Sequence, residues 1–216
     1  MVRPAAVIFD MDGLMLDTER PVLGFWIKAA EKFGLTMTED VILRTIGINE
    51  AGSRVILAEA YGSQFPYDEI RAERNLMMRE QVEREGIAQK KGLLTLLNHL
   101  DALEIKLGLA TSTAREIALW KLKHTGIQDR FKIMVCGDEI KNGKPAPDIF
   151  LKAAEKLGVP ASDCVGFEDS PAGLQALHAA KIPSVFVKDL VEPPEETLAT
   201  VWRRCENLAE AVELFA

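Results

Sequence analysis

Cysteine is scarce and poorly spaced for chemistry. The 216 residues hold three, Cys136, Cys164 and Cys205. An odd count without a CxxC spacing argues against a disulfide framework, a zinc cluster or a redox pair, and suits a reducing cytoplasm. Cys136 and Cys164 sit in apolar runs, where a thiol serves as a small hydrophobe. Long hydrophobic runs are also missing. Mean hydropathy is +0.02, and no segment approaches the roughly twenty apolar residues of a membrane span. The apolar stretch near the N-terminus is cut by Asp10 and Asp12, a poor fit to a secretory signal. Excess positive charge is lacking as well: the formal net charge is −7 and there is no basic stripe, so nucleic acid is a poor partner. A small anionic substrate stays open, because a local cation or metal reverses the field inside a cleft. Internal repeats, low-complexity stretches and long linkers are absent.

What remains is ordinary globular composition, 48% hydrophobic and 27% charged, enough for one sizeable core or a core with a small satellite. Short β-branched runs alternate with helical periodicity. Ala5 to Phe9 reads as a buried strand, followed by strands at Ile105 to Ala110, Ile133 to Cys136, Cys164 to Phe167 and Pro183 to Val187. Pro147 to Leu157 reads as a helix stopping at Gly158, Ser170 as an N-cap with Pro171 at the first helical position, and Asn207 as the cap of a last helix to Phe215. Strands separated by helices imply βαβ units and a parallel sheet. From about Asp17 to Gly86 only helical pattern appears: Pro21 to Phe33, Thr38 to Ile46, Ala51 to Tyr61 and Tyr67 to Glu85, each run followed by glycine, the residue favoured in a left-handed C-cap. The expected organisation is an α/β core of 1–16 and 87–216 with an all-helical insert of 17–86.

In an open parallel sheet, ligands bind beyond the carboxyl ends of the strands. The first strand there runs into Asp10-Met11-Asp12-Gly13, where residues two apart face one side and glycine permits a tight turn. The second ends in Thr111-Ser112-Thr113 before a helix, a seat for phosphate. The fourth ends in Glu168-Asp169-Ser170; Ser170 is the expected helix cap, which leaves both acids free for a metal. Lys144 lies in the rigid turn Gly143-Lys144-Pro145. Four acids crowded together repel unless a divalent cation holds them, and magnesium suits oxygen donors that leave room for a substrate phosphate. Phosphoryl transfer needs an in-line nucleophile, charge neutralisation and a proton donor for the leaving oxygen. Asp10 can attack, Asp12 can serve as acid and base, and Thr111, Ser112 and Lys144 can hold phosphoryl oxygens.

The strings FDMDGLMLDTE, LATST, GDEIKNGKPAPDIF and GFEDSPAGLQA resemble, in order and spacing, the four motifs of the haloacid-dehalogenase superfamily, and more narrowly its β-phosphoglucomutase-like branch. The resemblance implies a Rossmann-like three-layer α/β/α core with a parallel sheet, and a helical cap inserted after the first strand. It implies a phosphatase with Asp10 as nucleophile and Asp12 as acid/base, and Thr111 and Lys144 on the phosphate. Magnesium would be held by Asp10, the Asp12 carbonyl, Glu168 and Asp169. The implied substrate is a small phosphorylated metabolite, handled by a cytoplasmic monomer or weak homodimer. Mutases of that branch carry a cap histidine and arginine where ungapped alignment puts Val22 and Glu50, so water is the expected acceptor, with a sugar-phosphate mutase as the alternative. Relatives commonly place glycine near Ala180-Lys181, a departure expected to change local geometry only.

Other readings are weaker. A dehalogenase needs neither a second aspartate nor an acid pair for metal, and a phospho-acceptor signalling module is smaller and lacks the helical insert. Glu19, Arg20 and the turn from Thr45 to Glu50 are candidates for touching substrate. Thr113 and Arg115 either touch it or merely begin a helix. Asp138 and Glu139 read as a solvated turn. His99, His124 and His178 share no spacing and are expected to be non-catalytic, and Trp26 is the tryptophan nearest a substrate cleft.

Overall fold

The computed structural model describes residues 3–215. Ala6–Phe9 (β1) is buried along its whole length, as a continuous apolar run in a sheet covered on both faces must be. The strands are β2 (Lys106–Thr111), β3 (Ile133–Cys136), β4 (Cys164–Glu168), β5 (Ser184–Val187) and β6 (Arg203–Cys205), all parallel, in the order β3-β2-β1-β4-β5-β6. β1 is therefore central, and the chain reverses its direction of travel across the sheet between β1 and β4, the place where such sheets open a crevice.

Alternation along the strands separates two cores. Val7, Phe9, Leu109 and Phe167 face one layer, against Leu93, Leu96, Leu97 and Leu100 of α5 (Leu93–Ala102) and Ala118 and Leu122 of α6 (Arg115–Thr125). Ala6, Ile8, Ala110 and Val135 face the other, against Ile149, Phe150 and Ala153 of α7 (Asp148–Leu157) and Ala176 and Leu177 of α8 (Pro171–Ala179). This is the expected three-layer α/β/α arrangement.

Between β1 and β2 lie α1 (Glu19–Lys32), α2 (Glu39–Leu43), α3 (Glu50–Tyr61) and α4 (Tyr67–Glu85). They close around a cluster of their own that includes Trp26, Ala30, Ile42, Leu57 and Ile70. Gly34, Gly47, Gly62 and Gly86 all have positive φ. The two connections to the sheet run side by side, with Leu16 bridging Gln89 and the Asp17 N–H donating to the Ala88 carbonyl at 2.9 Å.

Two expectations are corrected. A sixth strand, β6, was not anticipated: it has three residues, two of them exposed arginines, so it shows neither an apolar run nor alternation. The C-terminal segment is a 3-10 turn over Glu210–Phe215 rather than an α-helix capped by Asn207. The Asn207 side chain accepts from the Ala209 N–H at 3.1 Å, closing a local turn that competes with helix initiation.

Lys181 stands at φ +57, a left-handed conformation that strains a residue with a Cβ. It is exposed, so Lys181→Gly should raise stability by about 0.5 to 1 kcal/mol, strain relief outweighing the extra freedom of the unfolded chain. Chemical denaturation measures it.

Candidate active site

β1 delivers Asp10 to the floor of the crevice, where it is 5% exposed, its N–H bound to the Phe167 carbonyl at 3.1 Å. Asp12 follows, and the chain turns at Gly13 with φ +84. A Cβ there would lie 2.2 Å from Asp169 Oδ2, so glycine is what lets the β4 acid come up against the β1 loop.

Lys144 is buried between two acids. Its Nζ donates to Asp10 Oδ1 at 2.5 Å and to Glu168 Oε1, and the Phe150 ring centroid lies 5.0 Å away. The other Glu168 oxygen accepts from the N–H groups of Asp169 (2.9 Å) and Ser170 (2.8 Å) and from the Ser170 hydroxyl (2.9 Å). Ser170 does cap α8, accepting from the Gly173 N–H. Against the expectation that both acids are left unengaged, Glu168 is bound through both oxygens.

Asp169 is 2% exposed and its Oδ1 has no hydrogen-bond partner. Burial, then the charges of Glu168 and Asp10, hold its carboxyl well above the usual carboxylate range. Burial likewise pushes Asp10 up to about 8 against the pull of Lys144. Asp12 behaves oppositely. Burial would raise it, but Lys121 Nζ at 2.5 Å, Thr18 Oγ1 at 2.6 Å and Thr113 Oγ1 at 2.7 Å outweigh that and keep it below the ordinary range.

Thr111 ends β2 buried, its hydroxyl accepting from the Thr113 N–H at 3.1 Å. Ser112 instead donates its hydroxyl to the Gly47 carbonyl at 2.8 Å, so in this arrangement it joins the sheet edge to the Thr45–Glu50 turn. Arg115 belongs to the fold: it pairs with Glu139 at 2.8 Å, and its N–H is received by Asp138. Asp138 and Glu139 therefore organise the start of α6 rather than forming a merely solvated turn. Arg20 pairs with Asp189 at 3.0 Å. Glu19 does line the cleft, and burial together with the Asp12 charge pushes its carboxyl up to about 7.

A cleft of about 750 Å³ runs from Asp10, Asp12 and Thr111 to residues of α1, α3 and α4, a volume suited to a small metabolite. Trp120 lines it as well as Trp26, which corrects the assignment of Trp26 alone. Sequence reasoning missed Lys121 and Thr18. For Lys121 a signal existed: Ala118, Lys121, Leu122 and Thr125 share one face of α6 at helical spacing, and a lysine on a buried stripe demands an anionic partner.

Whether the acids suit magnesium turns on what they lack. Asp10, Glu168 and Asp169 are three buried acids against one lysine; Asp169 Oδ1 is buried without a partner, while its Oδ2 lies against Gly13. Among the described residues no three acid, histidine or cysteine side chains form a ready-made cage. Magnesium seldom uses one, binding through one or two carboxylates and completing its shell with water and phosphate oxygens. The donor set fits.

A family model described as haloacid dehalogenase-like hydrolase matches residues 7–187. The chain belongs to that family. Within it, the chain is 36% identical over 181 residues to the phosphorylated carbohydrates phosphatase of Thermotoga maritima, covering 84% of this chain and 83% of that protein. It is 35% identical over 192 residues to the probable pseudouridine-5'-phosphatase of Drosophila melanogaster, covering 84% and 80%. The crystal structure of β-phosphoglucomutase from Clostridium difficile superposes with a TM-score of 0.81 at 27% identity, over 96% of this chain and 92% of that one. This haloacid dehalogenase-like hydrolase is also 32% identical over 189 residues to the β-phosphoglucomutase of Bacillus subtilis, covering 84% of this chain and 82% of that protein, so its sequence relatives include a mutase as well as phosphatases. Among its described residues no helix is long and apolar enough to cross a membrane.

Proposed function

We propose that this hydrolase removes phosphate from a small phosphorylated metabolite, a sugar phosphate or similar phosphomonoester, through an aspartyl phosphate on Asp10. The observation carrying this reading is the pair at the end of β1: Asp10 on the cleft floor against Lys144, and Asp12 two residues on, held by Thr18, Thr113 and Lys121. One carboxylate is placed to attack phosphorus and the other to handle protons at the leaving oxygen and then at water. Lys144 lies where it neutralises a phosphoryl oxygen, and Thr111 with the N–H groups at the start of α6 offers donors to the others. Asp10, the Asp12 carbonyl and Asp169 would hold magnesium, joined by Glu168 if it releases Lys144; bound there, the cation offsets charge on the transferring group. The site without it favours a neutral Asp10, and a divalent cation reverses that preference.

In this reading residues 17–86 act as a cap that excludes water and contacts the leaving group, over a core of 1–16 and 87–216. Water is the acceptor. Val22 lines the cleft where the branch's mutases carry histidine. Glu50, where they carry arginine, is bound to Arg71 at 2.8 Å. Three buried free cysteines suit a cytoplasmic enzyme, working as a monomer or weak homodimer. Removal of magnesium by a chelator should stop phosphate release and its return should restore it. Full activity after exhaustive chelation would overturn the metal assignment.

A further inference from the structure

The wall of the cleft formed by α4 presents Arg71, Arg74, Asn75 and Met78, which share one helical face at i, i+3, i+4 and i+7. Most cations around the cleft are already matched. Arg71 pairs with Glu50 at 2.8 Å, Arg54 with Asp68 at 2.5 Å, Lys121 with Asp12 and Lys144 with Asp10 and Glu168. Arg79 and Lys141 are exposed and hydrated. Arg74 differs. Its guanidinium lies 4.8 Å from the centroid of the Trp26 ring, one terminal nitrogen donates to the neutral amide of Asn75, and no carboxylate of the described residues lies within the 4.0 Å of an ion pair. Its Nε–H is buried with no partner at all.

A guanidinium withdrawn from water normally takes a counter-charge, since an unmatched buried donor and an unmatched buried charge are both unfavourable. Stacking on an aromatic face returns only part of that loss. Trp26 is itself 4% exposed and packed in the cluster beneath α4, so the guanidinium rests on a fixed ring along the cleft wall. A fixed guanidinium fork recognises planar or tetrahedral oxyanions in a way a lysine does not. Asp10 marks one end of the same cavity, and a phosphoryl group seated there leaves the rest of the metabolite reaching toward α1 and α4.

We infer that Arg74 is the anion-binding, specificity-determining residue of the leaving-group pocket, and that the preferred substrate carries a second oxyanion, a carboxylate or a second phosphate, besides the phosphoryl group transferred to Asp10. This rests on the phosphatase reading and narrows its substrate class from neutral sugar phosphates to acidic ones.

The test compares kcat/KM for matched pairs with magnesium present: gluconate 6-phosphate against sorbitol 6-phosphate for the carboxylate, and fructose 1,6-bisphosphate against fructose 6-phosphate for the second phosphate. The ratio within a pair is the readout, because loss of folded enzyme leaves it unmoved. The wild-type ratio should favour the more acidic member at least ~10-fold in one pair, the scale of a charge-assisted bidentate contact. Arg74→Met should collapse that ratio toward one, and Arg74→Lys should recover only part of it. Ratios near one for the wild type in both pairs, or a wild-type preference that Arg74→Met leaves intact, would overturn the assignment while the phosphatase reading stood. Failure of every sugar phosphate and of p-nitrophenyl phosphate to release phosphate would remove the phosphatase reading and this inference with it.

Discussion

Asp10→Asn is expected to lower kcat by at least ~10⁴-fold, because the amide oxygen is not a nucleophile toward phosphorus and Asp12, the other carboxylate at the end of β1, is tethered by Lys121, Thr18 and Thr113. The fold should survive. Asparagine keeps the shape and an acceptor oxygen for Lys144 Nζ, and Lys144 retains Glu168 as its anionic partner. Burial pushes the Asp10 carboxyl up to about 8, so at neutral pH and without a cation asparagine replaces a group already held mostly neutral beside Glu168 and Asp169. A stability change within about 1 kcal/mol is expected, as for a shape-matched neutral replacement. Phosphate release and urea unfolding on one preparation separate the two effects. Appreciable hydrolysis by a well-folded variant would reject Asp10 as the attacking group.

Asp12→Asn should lower kcat by about 10²- to 10⁴-fold, the range of general acid–base catalysis, and in a particular place. The carboxylate is tethered by Lys121, Thr18 and Thr113, which keeps it ionised and fixed toward the cleft. In that form it is ready to take a proton from water attacking the phosphoenzyme. The amide cannot, so breakdown of the intermediate slows while phosphorylation by a donor with an acidic leaving group does not. Lys121, only 10% exposed along its side chain, loses its counter-charge, so the variant should also be less stable by about 1 to 3 kcal/mol. Rapid quench with acetyl phosphate should show a burst of acyl phosphate followed by a slow steady state. Equal loss in both phases would place the role of Asp12 elsewhere.

The centre of this molecule was legible because it obeys short-range rules. The apolar run Ala6 to Phe9 reads as a strand buried on both faces, and period two then puts Asp10 and Asp12 on one side. Glycines marked where three of the helical runs end (Gly34, Gly62 and Gly86), whereas the second, expected from Thr38 to Ile46, stops at Leu43, short of Gly47; Pro171 after Ser170 marked where α8 begins. What escaped depends on contacts between distant segments. Nothing local distinguishes Glu168, tied through both oxygens, from Asp169, left with an orphan. The sequence offers the Ser112 hydroxyl to phosphate because it cannot show the Gly47 carbonyl that accepts from it across the cleft. β6 is invisible as RRC, being a strand by virtue of its neighbour β5 rather than its composition. Arg74 sits in a helix so rich in charge around its circumference that no pattern separates the cleft face from the solvent face.

The most direct measurement is to locate the phosphoryl group. Asp12→Asn protein mixed with magnesium and acetyl phosphate, quenched in acid and digested, should yield a phosphorylated peptide carrying the label on Asp10. The acetate leaving group needs no proton, so the missing acid does not block this step. A label on any other residue, or release of phosphate by the wild-type enzyme with no acyl phosphate trapped in the variant, would contradict attack by Asp10.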